Sequence, residues 1–477
     1  MTTSTDTTFG LEPGDLRRVV GLGALHFLLL GAYFMLKPAR DEVAAYLGGE
    51  YIDVLWTRVF FVNLAIAPIY AYFVKSRTRV QVLVGVLAFF ALSAVAFAVV
   101  MALVPAGSVT QASVEALPGG APTHDPRRTV DATFYVWASV LPLLVVSSFW
   151  SFVSDICSMA RARRIFGFVA AIGTAGSIVG SIVLQALSRS GVPVRWTLVA
   201  FTAVYIAAIA VVVASERRLR DASGLAPTTE KVGGTVISGF VAVARSPLLI
   251  AICAFILLMT LSSGVFYYVQ SDVVRVLFDD RDARREFLSS LNEHQGYFTL
   301  VGQLGLTTLI MRRVGIGATL VGLPLFAIVC ATVVWYFGSD WFVYDALEQR
   351  ANRRWSAGPG LDAAIAEYGR ETLLAVIGTV LVAMYVARYA FAKPAREALF
   401  TLVSRDERFK SKNFIDTAVY RGGDVLTAQL FGLMMATGFA SVTSLGAVVL
   451  PAFVGWVVLA LVMGRAAKRR SEGGAGS

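Results

Sequence analysis

Charged residues are scarce in this sequence, at 16% of 477 positions. Soluble globular proteins average about 25% charged residues, so the ordinary soluble class is excluded. Hydrophobic residues make up 56% of the chain, and the mean hydropathy is +0.68. Because many apolar runs reach the length of about 20 residues that a bilayer-spanning helix needs, we predict a polytopic, all-α integral membrane protein.

Cysteine and histidine are also rare, with three of each. The cysteines, at positions 157, 253 and 330, all lie in apolar runs, and their spacing fits neither a disulfide framework nor a metal site. The histidines, at positions 26, 124 and 294, do not cluster, which gives a histidine proton relay little support. No nucleophile–base arrangement stands out either. We therefore expect no metal, no cofactor and no enzymatic activity.

The net charge of +10 could suggest a nucleic-acid partner. We reject that interpretation because the basic residues form short clusters between the apolar runs, which is the positive-inside pattern of membrane topology. The pattern places both termini in the cytoplasm, and we expect a monomer in the bacterial inner membrane. The basic clusters are Arg17–Arg18, Lys75–Arg79, Arg161–Arg164, Arg217–Arg220, Arg312–Arg313, Arg405–Lys412 and Arg465–Arg470.

The apolar runs predict about twelve spanning helices, at the length criterion of about 20 residues. A charged, Gly- and Thr-rich segment at 215–246 divides them into two six-helix bundles, 1–214 and 247–477. Arg281 and Arg284 fall in an outer loop, where we expect a short amphipathic helix on the surface. The predicted spans are 18–45, 54–74, 79–104, 131–160, 163–189, 194–215, 247–277, 295–312, 315–338, 371–403, 413–439 and 442–465.

A short internal repeat accompanies the two halves. LKPARDE at 36–42 matches AKPARE at 392–397, which places the copies in the first and tenth predicted helices. In transporters of the major facilitator type, built from repeated three-helix units, these helices occupy equivalent places around a central cavity. The alternative is chance similarity between two short strings.

Helix one carries charges at helical spacing, namely Tyr33, Lys37, Arg40 and Asp41. Charges inside a membrane-length helix are costly and usually line a water-filled path, so these residues are candidates for an anion-binding face with Asp41 as counter-ion. The alternative is that the long side chains snorkel to the outer interface. We expect snorkelling for Glu42.

Helix ten carries a comparable basic stripe. Tyr389, Lys393, Arg396 and Phe400 would share one face of a regular α-helix. Pro394 removes a backbone hydrogen bond and predicts a kink. A kinked helix with a basic stripe suggests a grip for an anionic solute.

Other candidates are less distinctive. Tyr267 and Gln270 could stack on and hydrogen-bond a planar ligand, or make ordinary interhelical hydrogen bonds. Asp155 could pair with Arg161 in a cytoplasmic gate, or be an interfacial charge. Arg421 and Asp424, three residues apart, are expected to neutralise each other.

Helix five contains three glycines at helical spacing, Gly173, Gly176 and Gly180. Small residues spaced in this way allow close backbone approach between membrane helices. We therefore predict that this face packs tightly against a neighbouring helix.

Three stretches together resemble the ATP/ADP translocases of plastids and obligate intracellular bacteria: FWSFVSDICSMARARRIFG at 149–167, the region 387–424, and LKPARDEV at 36–43. The resemblance implies a major-facilitator-like fold and nucleotide exchange by alternating access. It places the family's first-helix lysine on Arg40, its tenth-helix lysine on Arg396 and the neighbouring glutamate on Glu397. Lys393 replaces a family aspartate, which makes this site more basic.

The leading hypothesis is thus a secondary transporter that exchanges a phosphate-bearing nucleotide without hydrolysis. The alternative is a proton-coupled major facilitator carrier for another organic anion or amphipathic solute, with Asp155, Asp272 and Asp424 as titrating groups. A third hypothesis is a membrane scaffold or sensor that has lost transport.

Overall fold

The structure is a computed structural model in which the described chain is helical. No β-strand occurs among the described residues. Those residues are 15–104, 126–157, 159–223, 236–303, 307–338, 369–400, 403, 407, 411, 414–436 and 442–473. The centre of the expected linker and the outer segment at 339–368 lie outside them.

Fourteen α-helices are numbered here within the described ranges, together with two longer π-helical segments. The π-helical segments are Ala387–Ala392 (π1) and Ile415–Val419 (π2). The α-helices are α1 Asp15–Leu47, α2 Gly49–Ser76, α3 Arg79–Leu103, α4 Pro126–Ile156, α5 Met159–Arg189, α6 Val194–Ser223, α7 Val236–Arg245, α8 Pro247–Leu277, α9 Arg281–Val301, α10 Thr307–Gly338, α11 Arg370–Val386, α12 Lys393–Leu399, α13 Tyr420–Ala436 and α14 Val442–Gly473.

Ten helical stretches within these ranges are long and apolar enough to cross a membrane. The other two predicted spans are interrupted. The span expected at 295–312 contains the end of α9 and the start of α10, and α9 itself is rich in charge. The span expected at 413–439 contains π2 followed by α13, which has only 17 residues.

Large apolar side chains on the outside of these helices indicate contact with lipid. In α3, whose mean hydropathy is 2.7, Leu92 and Leu103 are 73% and 76% exposed. Tyr72 on α2 is 68% exposed. Large contiguous apolar surface is rare on soluble monomers, whereas a hydrocarbon environment accommodates it. The described helices therefore support a multi-pass membrane protein.

The chain divides into two compact units. The first contains 1–44, 61–231 and 280–296, and the second contains 45–60, 232–279 and 297–477. Most of α9 thus belongs to the first unit, although residues on both sides of it belong to the second. The predicted division into halves at 215–246 stays a prediction.

In the first unit, glycines bring α1 and α5 into backbone contact. A Cβ added at Gly180 would lie 2.1 Å from the Gly31 carbonyl oxygen, and one at Gly176 would lie 2.3 Å from the Phe27 oxygen. The interface therefore has room only for hydrogen at these positions. This contact fixes α1, which carries the first charged cluster. Elsewhere in the unit, α3 packs against α4 and α6.

In the second unit, α10 packs along α14, while α8 packs against α13 and α14. The α10–α14 approach is also close, since a Cβ added at Gly317 would lie 2.7 Å from the Gly464 Cα. Within α10, Gly315 has a φ of 83°, which breaks the helix there. Only glycine adopts that conformation at little cost. The break falls where the predicted eighth and ninth spans separate.

We predict that Gly180→Ala destabilises the protein, because its Cβ would collide with the Gly31 carbonyl. Overpacking of this kind costs about 1–3 kcal/mol. The measurement is the melting temperature of the full chain in detergent. Gly167→Ala, on the same helix α5 but with nothing within 4 Å of its added Cβ, is the control and should melt like the wild type. Equal melting temperatures for both variants would contradict the close α1–α5 contact.

Candidate functional site

The first cluster is centred on the Asp41 carboxylate of α1, whose side chain is only 2% exposed. Arg40 donates to Asp41 Oδ1 through its Nε at 3.0 Å and its NH2 at 2.6 Å. Lys37 Nζ lies 3.3 Å from Asp41 Oδ2. One carboxylate therefore holds two cations. The Lys37 and Arg40 side chains remain 19% and 14% exposed.

Polar and aromatic side chains surround these two cations within the first unit. Lys37 Nζ donates to Asn292 Oδ1 on α9 at 2.5 Å. Arg40 NH1 donates to the Tyr33 hydroxyl at 3.4 Å. The Arg40 guanidinium carbon lies 5.6 Å from the centroid of the Tyr135 ring of α4, a cation–π distance. The structure thus brings together the four residues that helical spacing singled out on α1.

A second ion-pair cluster was not predicted from the sequence. Arg281 at the start of α9 forms a bidentate pair with Glu42, with both nitrogen–oxygen distances 2.8 Å, and also bonds Asp131 at 2.9 Å. Arg285 lies 3.8 Å from Glu42, and Arg127 lies 3.1 Å from Asp131. The Glu42 and Asp131 side chains are both 1% exposed. We call these five residues the Glu42 cluster.

The Glu42 cluster corrects two expectations. Glu42 does not snorkel to the interface, and α9 does not lie on the surface with its arginines in water, because Arg284 is 2% exposed and Arg285 is 7% exposed. The sequence signal for this cluster was the spacing of the arginines in RDARRE, which places all three on one helical face. Asp282, which bonds Arg285, adds a third carboxylate beside the three arginines of the cluster.

The charges in the Glu42 cluster hold each other in the ionised form. Burial alone would lower the pKa of Arg281, but the neighbouring Glu42 and Asp131 carboxylates outweigh it and raise that pKa above its ordinary value. The guanidinium therefore stays charged, and the cluster links α1, α4 and α9 electrostatically in this structure.

The second unit has its own cationic cluster around π1. Arg388 in π1 donates through NH1 to the Ser263 hydroxyl of α8 and through NH2 to the Tyr420 hydroxyl of α13. Its guanidinium carbon lies 5.4 Å from the Tyr389 centroid and 5.5 Å from the Tyr420 centroid. Lys393 Nζ also lies 5.4 Å from the Tyr389 centroid. π-helical turns are frequent at functional sites.

The predicted basic stripe of helix ten is divided in the structure. Lys393 is exposed, whereas Arg396 is 3% exposed. Arg396 NH2 bonds Glu397 Oε1 at 2.5 Å. Lys393 and Arg396 both lie in α12, after π1, so the π turn changes their register relative to Arg388 and Tyr389 and does not separate them from each other. Arg421 NH1 and Asp424 Oδ2 lie 3.4 Å apart, as the spacing of three residues predicts.

Tyr267 and Gln270 are the remaining predicted residues whose side chains belong to the described part of the structure. The Tyr267 ring packs on Trp56 with centroids 5.4 Å apart, and Gln270 is half-buried on the same helix. The side chains of Asp155, Arg161 and Asp272 lie outside the described part of the structure.

The cations of α1 belong to the first unit, and those of π1 and α12 belong to the second. That they line one aqueous chamber stays a prediction.

Comparison with known families decides what kind of protein carries these clusters. The model of the TLC ATP/ADP transporter family matches residues 1–466. The chain belongs to this family. The match confirms the resemblance found in the three sequence stretches, and it makes the protein a secondary membrane transporter of small molecules. No curated protein matches the chain.

Solved structures confirm the fold class. A bacterial homologue of the iron transporter ferroportin, in an inward-facing state, aligns with a TM-score of 0.58 over 96% of this chain and 99% of its own. The nucleoside transporter NupG aligns with a TM-score of 0.55 over 96% and 99%. The identities are 14% and 11%, so these likenesses concern the fold alone. They are folds of the major facilitator type, as predicted for this chain.

We predict that Glu42→Gln lowers the free energy of unfolding by about 3 kcal/mol, because it removes the buried carboxylate that Arg281 and Arg285 share and leaves Arg281 with Asp131 alone and Arg285 with Asp282 alone. Chemical or thermal denaturation of the purified protein measures this loss. The control is Glu286→Gln, which breaks a single exposed pair with Arg189 (nitrogen–oxygen distance 2.6 Å, side chains 35% and 61% exposed). Such a surface pair is worth less than about 1 kcal/mol. Equal losses in the two variants would show that the Glu42 cluster adds no stability beyond that of a surface pair.

Proposed function

We propose that this transporter exchanges a phosphate-bearing nucleotide of the ATP/ADP type across the membrane without hydrolysing it. Membership of the TLC family supports the substrate class. The observation that carries the proposal is the α1 cluster, where Lys37 and Arg40 converge on the single Asp41 carboxylate. Charged side chains within a membrane helix are costly and usually line a water-filled path, where two adjacent cations can bind an anionic solute.

The chemistry of the α1 cluster suits a phosphate. Arg40 presents a planar fork of donors and Lys37 a compact charge, and both can form charge-assisted hydrogen bonds to phosphate oxygens. Asp41 is hydrogen-bonded to both cations and so fixes their positions before the ligand arrives. Tyr33 lies beside Arg40 and offers a ring for the nucleobase.

The second unit contributes the other predicted contacts. Lys393, Arg396 and Glu397 follow π1, and Tyr389 and Tyr267 provide aromatic surface. Since Arg396 bonds Glu397, Lys393 is the member of this set with the greater uncompensated charge. Gln270 would hydrogen-bond the base.

Alternating access assigns a role to the Glu42 cluster. The predicted halves 1–214 and 247–477 would rock about the substrate, joined by the linker at 215–246. In sequence, α9 falls in the C-terminal half and α1 in the N-terminal half, although their ion pairs lie within one compact unit. The Arg281–Glu42 and Arg281–Asp131 pairs would therefore have to separate when the halves move apart. The cluster acts as a gate that closes one side, while Asp155, Arg161 and Asp272 belong to the opposite, cytoplasmic side.

The distribution of basic clusters supports an orientation with both termini in the cytoplasm. The transporter would act as a monomer in the bacterial inner membrane. Its partners would be the lipid bilayer and an anionic small molecule, with no nucleic acid.

We predict that proteoliposomes loaded with ADP take up radiolabelled ATP or ADP, and that Arg40→Ala reduces the rate at least about tenfold. The reason is that a charge-assisted hydrogen bond contributes about 1.5–3 kcal/mol, and 1.4 kcal/mol corresponds to a factor of ten. Arg17→Ala, which removes an exposed cation from the first turn of the same helix, is the control and should keep the wild-type rate.

Internal substrate separates exchange from the alternative. Exchange requires loaded ADP and does not respond to an imposed pH gradient, whereas a proton-coupled carrier responds to the gradient in empty vesicles. Uptake that follows the pH gradient would replace the exchange proposal with proton coupling, in which Asp424 and its partner Arg421 become the first residues to test. Uptake unchanged in Arg40→Ala would remove the α1 cluster from the binding site.

A further inference from the structure

The cations between π1 and α13 differ in the partners that hold them. Arg396 bonds Glu397, and Arg421 bonds Asp424. Within the described residues, neither Arg388 nor Lys393 has a carboxylate at ion-pair distance. Arg388 contacts two hydroxyl groups, and both cations lie over the Tyr389 ring. Of the four cations described in π1, α12 and α13, these two therefore have no direct carboxylate partner, although Asp424 lies near enough to Arg388 to interact with it electrostatically. The helical-face pattern of the sequence did not select Arg388.

We propose that Arg388 and Lys393 together form a phosphate-binding subsite of the transporter, with Tyr389 and Tyr420 as its walls. The inference rests on the proposed function and deepens it, because it assigns the anion contact of the second unit to Arg388 in place of Arg396. Arg388 would give bidentate hydrogen bonds, and Lys393 would add a point charge.

The π-helical turn brings the two residues together. The backbone N–H of Lys393 donates to the carbonyl of Arg388, five residues earlier, as the hydrogen bonds of a π-helix do. Positions five apart diverge by about 140° on a regular α-helix of 3.6 residues per turn. In π1 both side chains instead reach the Tyr389 ring, each with its charged group 5.4 Å from the centroid. The charged groups of Arg388 and Lys393 thus lie against the same ring, although the two residues are five positions apart.

The direct contacts of Arg388 orient the guanidinium without a carboxylate among them, and Asp424 acts on it only from beyond ion-pair distance. Ser263 and Tyr420 accept hydrogen bonds from NH1 and NH2 and are both neutral donors or acceptors. A guanidinium has five N–H groups, so hydrogens remain for a ligand. The half-buried Arg388 is held against two tyrosine rings. This is a preorganised cation in surroundings of low polarity, where an anion is bound more strongly than in water.

Two like charges that converge on one ring repel each other, and a bound phosphate relieves that repulsion. The neighbouring aromatic surface extends to Tyr385, whose ring is tilted by 33° against Tyr389 with the centroids 4.4 Å apart. A ligand with a phosphate and a planar base matches this combination of cations and rings. A purely structural Arg388, which only ties π1 to α8 and α13, would affect stability but not the affinity for anions.

Ligand affinity in the full-length protein tests the subsite. The protein is reconstituted in lipid nanodiscs, and Kd is measured for ADP and for inorganic pyrophosphate, which lacks the base. We expect Arg388→Gln to raise both Kd values at least tenfold and Arg388→Lys to raise them less. Tyr389→Leu should weaken ADP more than pyrophosphate. The control Arg313→Gln, an exposed arginine of α10, should bind both like the wild type.

The outcomes separate this inference from the exchange proposal. If the wild type exchanges ADP while Arg388→Gln keeps both Kd values within twofold, the subsite is wrong and exchange stands. If pyrophosphate binds through Arg388 but ADP neither binds nor exchanges, the subsite stands and the nucleotide assignment is wrong. If the wild type binds neither ligand, both are wrong.

A second measurement on the wild type covers the case in which Arg388 variants fail to fold. Phenylglyoxal modifies accessible arginines, and mass spectrometry locates the modified positions. We expect Arg388 to react in the free protein and ADP or pyrophosphate to slow that reaction at least tenfold, with Arg313 unaffected. An Arg388 that does not react, or that reacts at the same rate with ligand present, would overturn the subsite.

Discussion

The Asp41 carboxylate is the interaction on which the first unit's chemistry depends. A lysine and an arginine one turn apart in a membrane helix would repel each other and be too costly to bury together. A single buried carboxylate makes their burial tolerable and fixes both in position. Two donor groups are thereby held close together, which suits the cluster to an anion. In the Glu42 cluster each of the two central carboxylates also receives two arginines, and these ion pairs join α1, α4 and α9 in this structure.

Local spacing in the sequence was enough to find what lies on one helix. The grouping of Tyr33, Lys37, Arg40 and Asp41 follows from the 3.6-residue period, and the membrane class follows from the length of the apolar runs. The long-range contacts of the Glu42 cluster join residues 150 to 243 positions apart. No local pattern shows that Arg281 meets Glu42 and Asp131, so the charge of α9 resembled that of a surface helix.

Helix ten shows a different limit. Its apolar length was predictable, but the register of its side chains was not, because π1 inserts a wider turn into a helix assumed to be regular. A period of 3.6 grouped Lys393 with Arg396, whereas the structure groups Lys393 with Arg388 around Tyr389. Nothing in ARYAFA distinguishes a π turn from an α turn by composition. The side-chain contacts, in addition to the spacing, are needed to identify which cations form an ion pair with a carboxylate.

The exchange of segments between the two units has a consequence for how the chain reaches its folded state. Residues 45–60 precede the linker yet belong to the second unit, and residues 280–296 follow it yet belong to the first. A chain cut within 215–246 would give two fragments, neither of which contains a whole unit. During synthesis, the first unit therefore stays incomplete until α9 has emerged from the ribosome. Glu42 and Asp131 are made well before Arg281, the arginine of α9 that bonds them both.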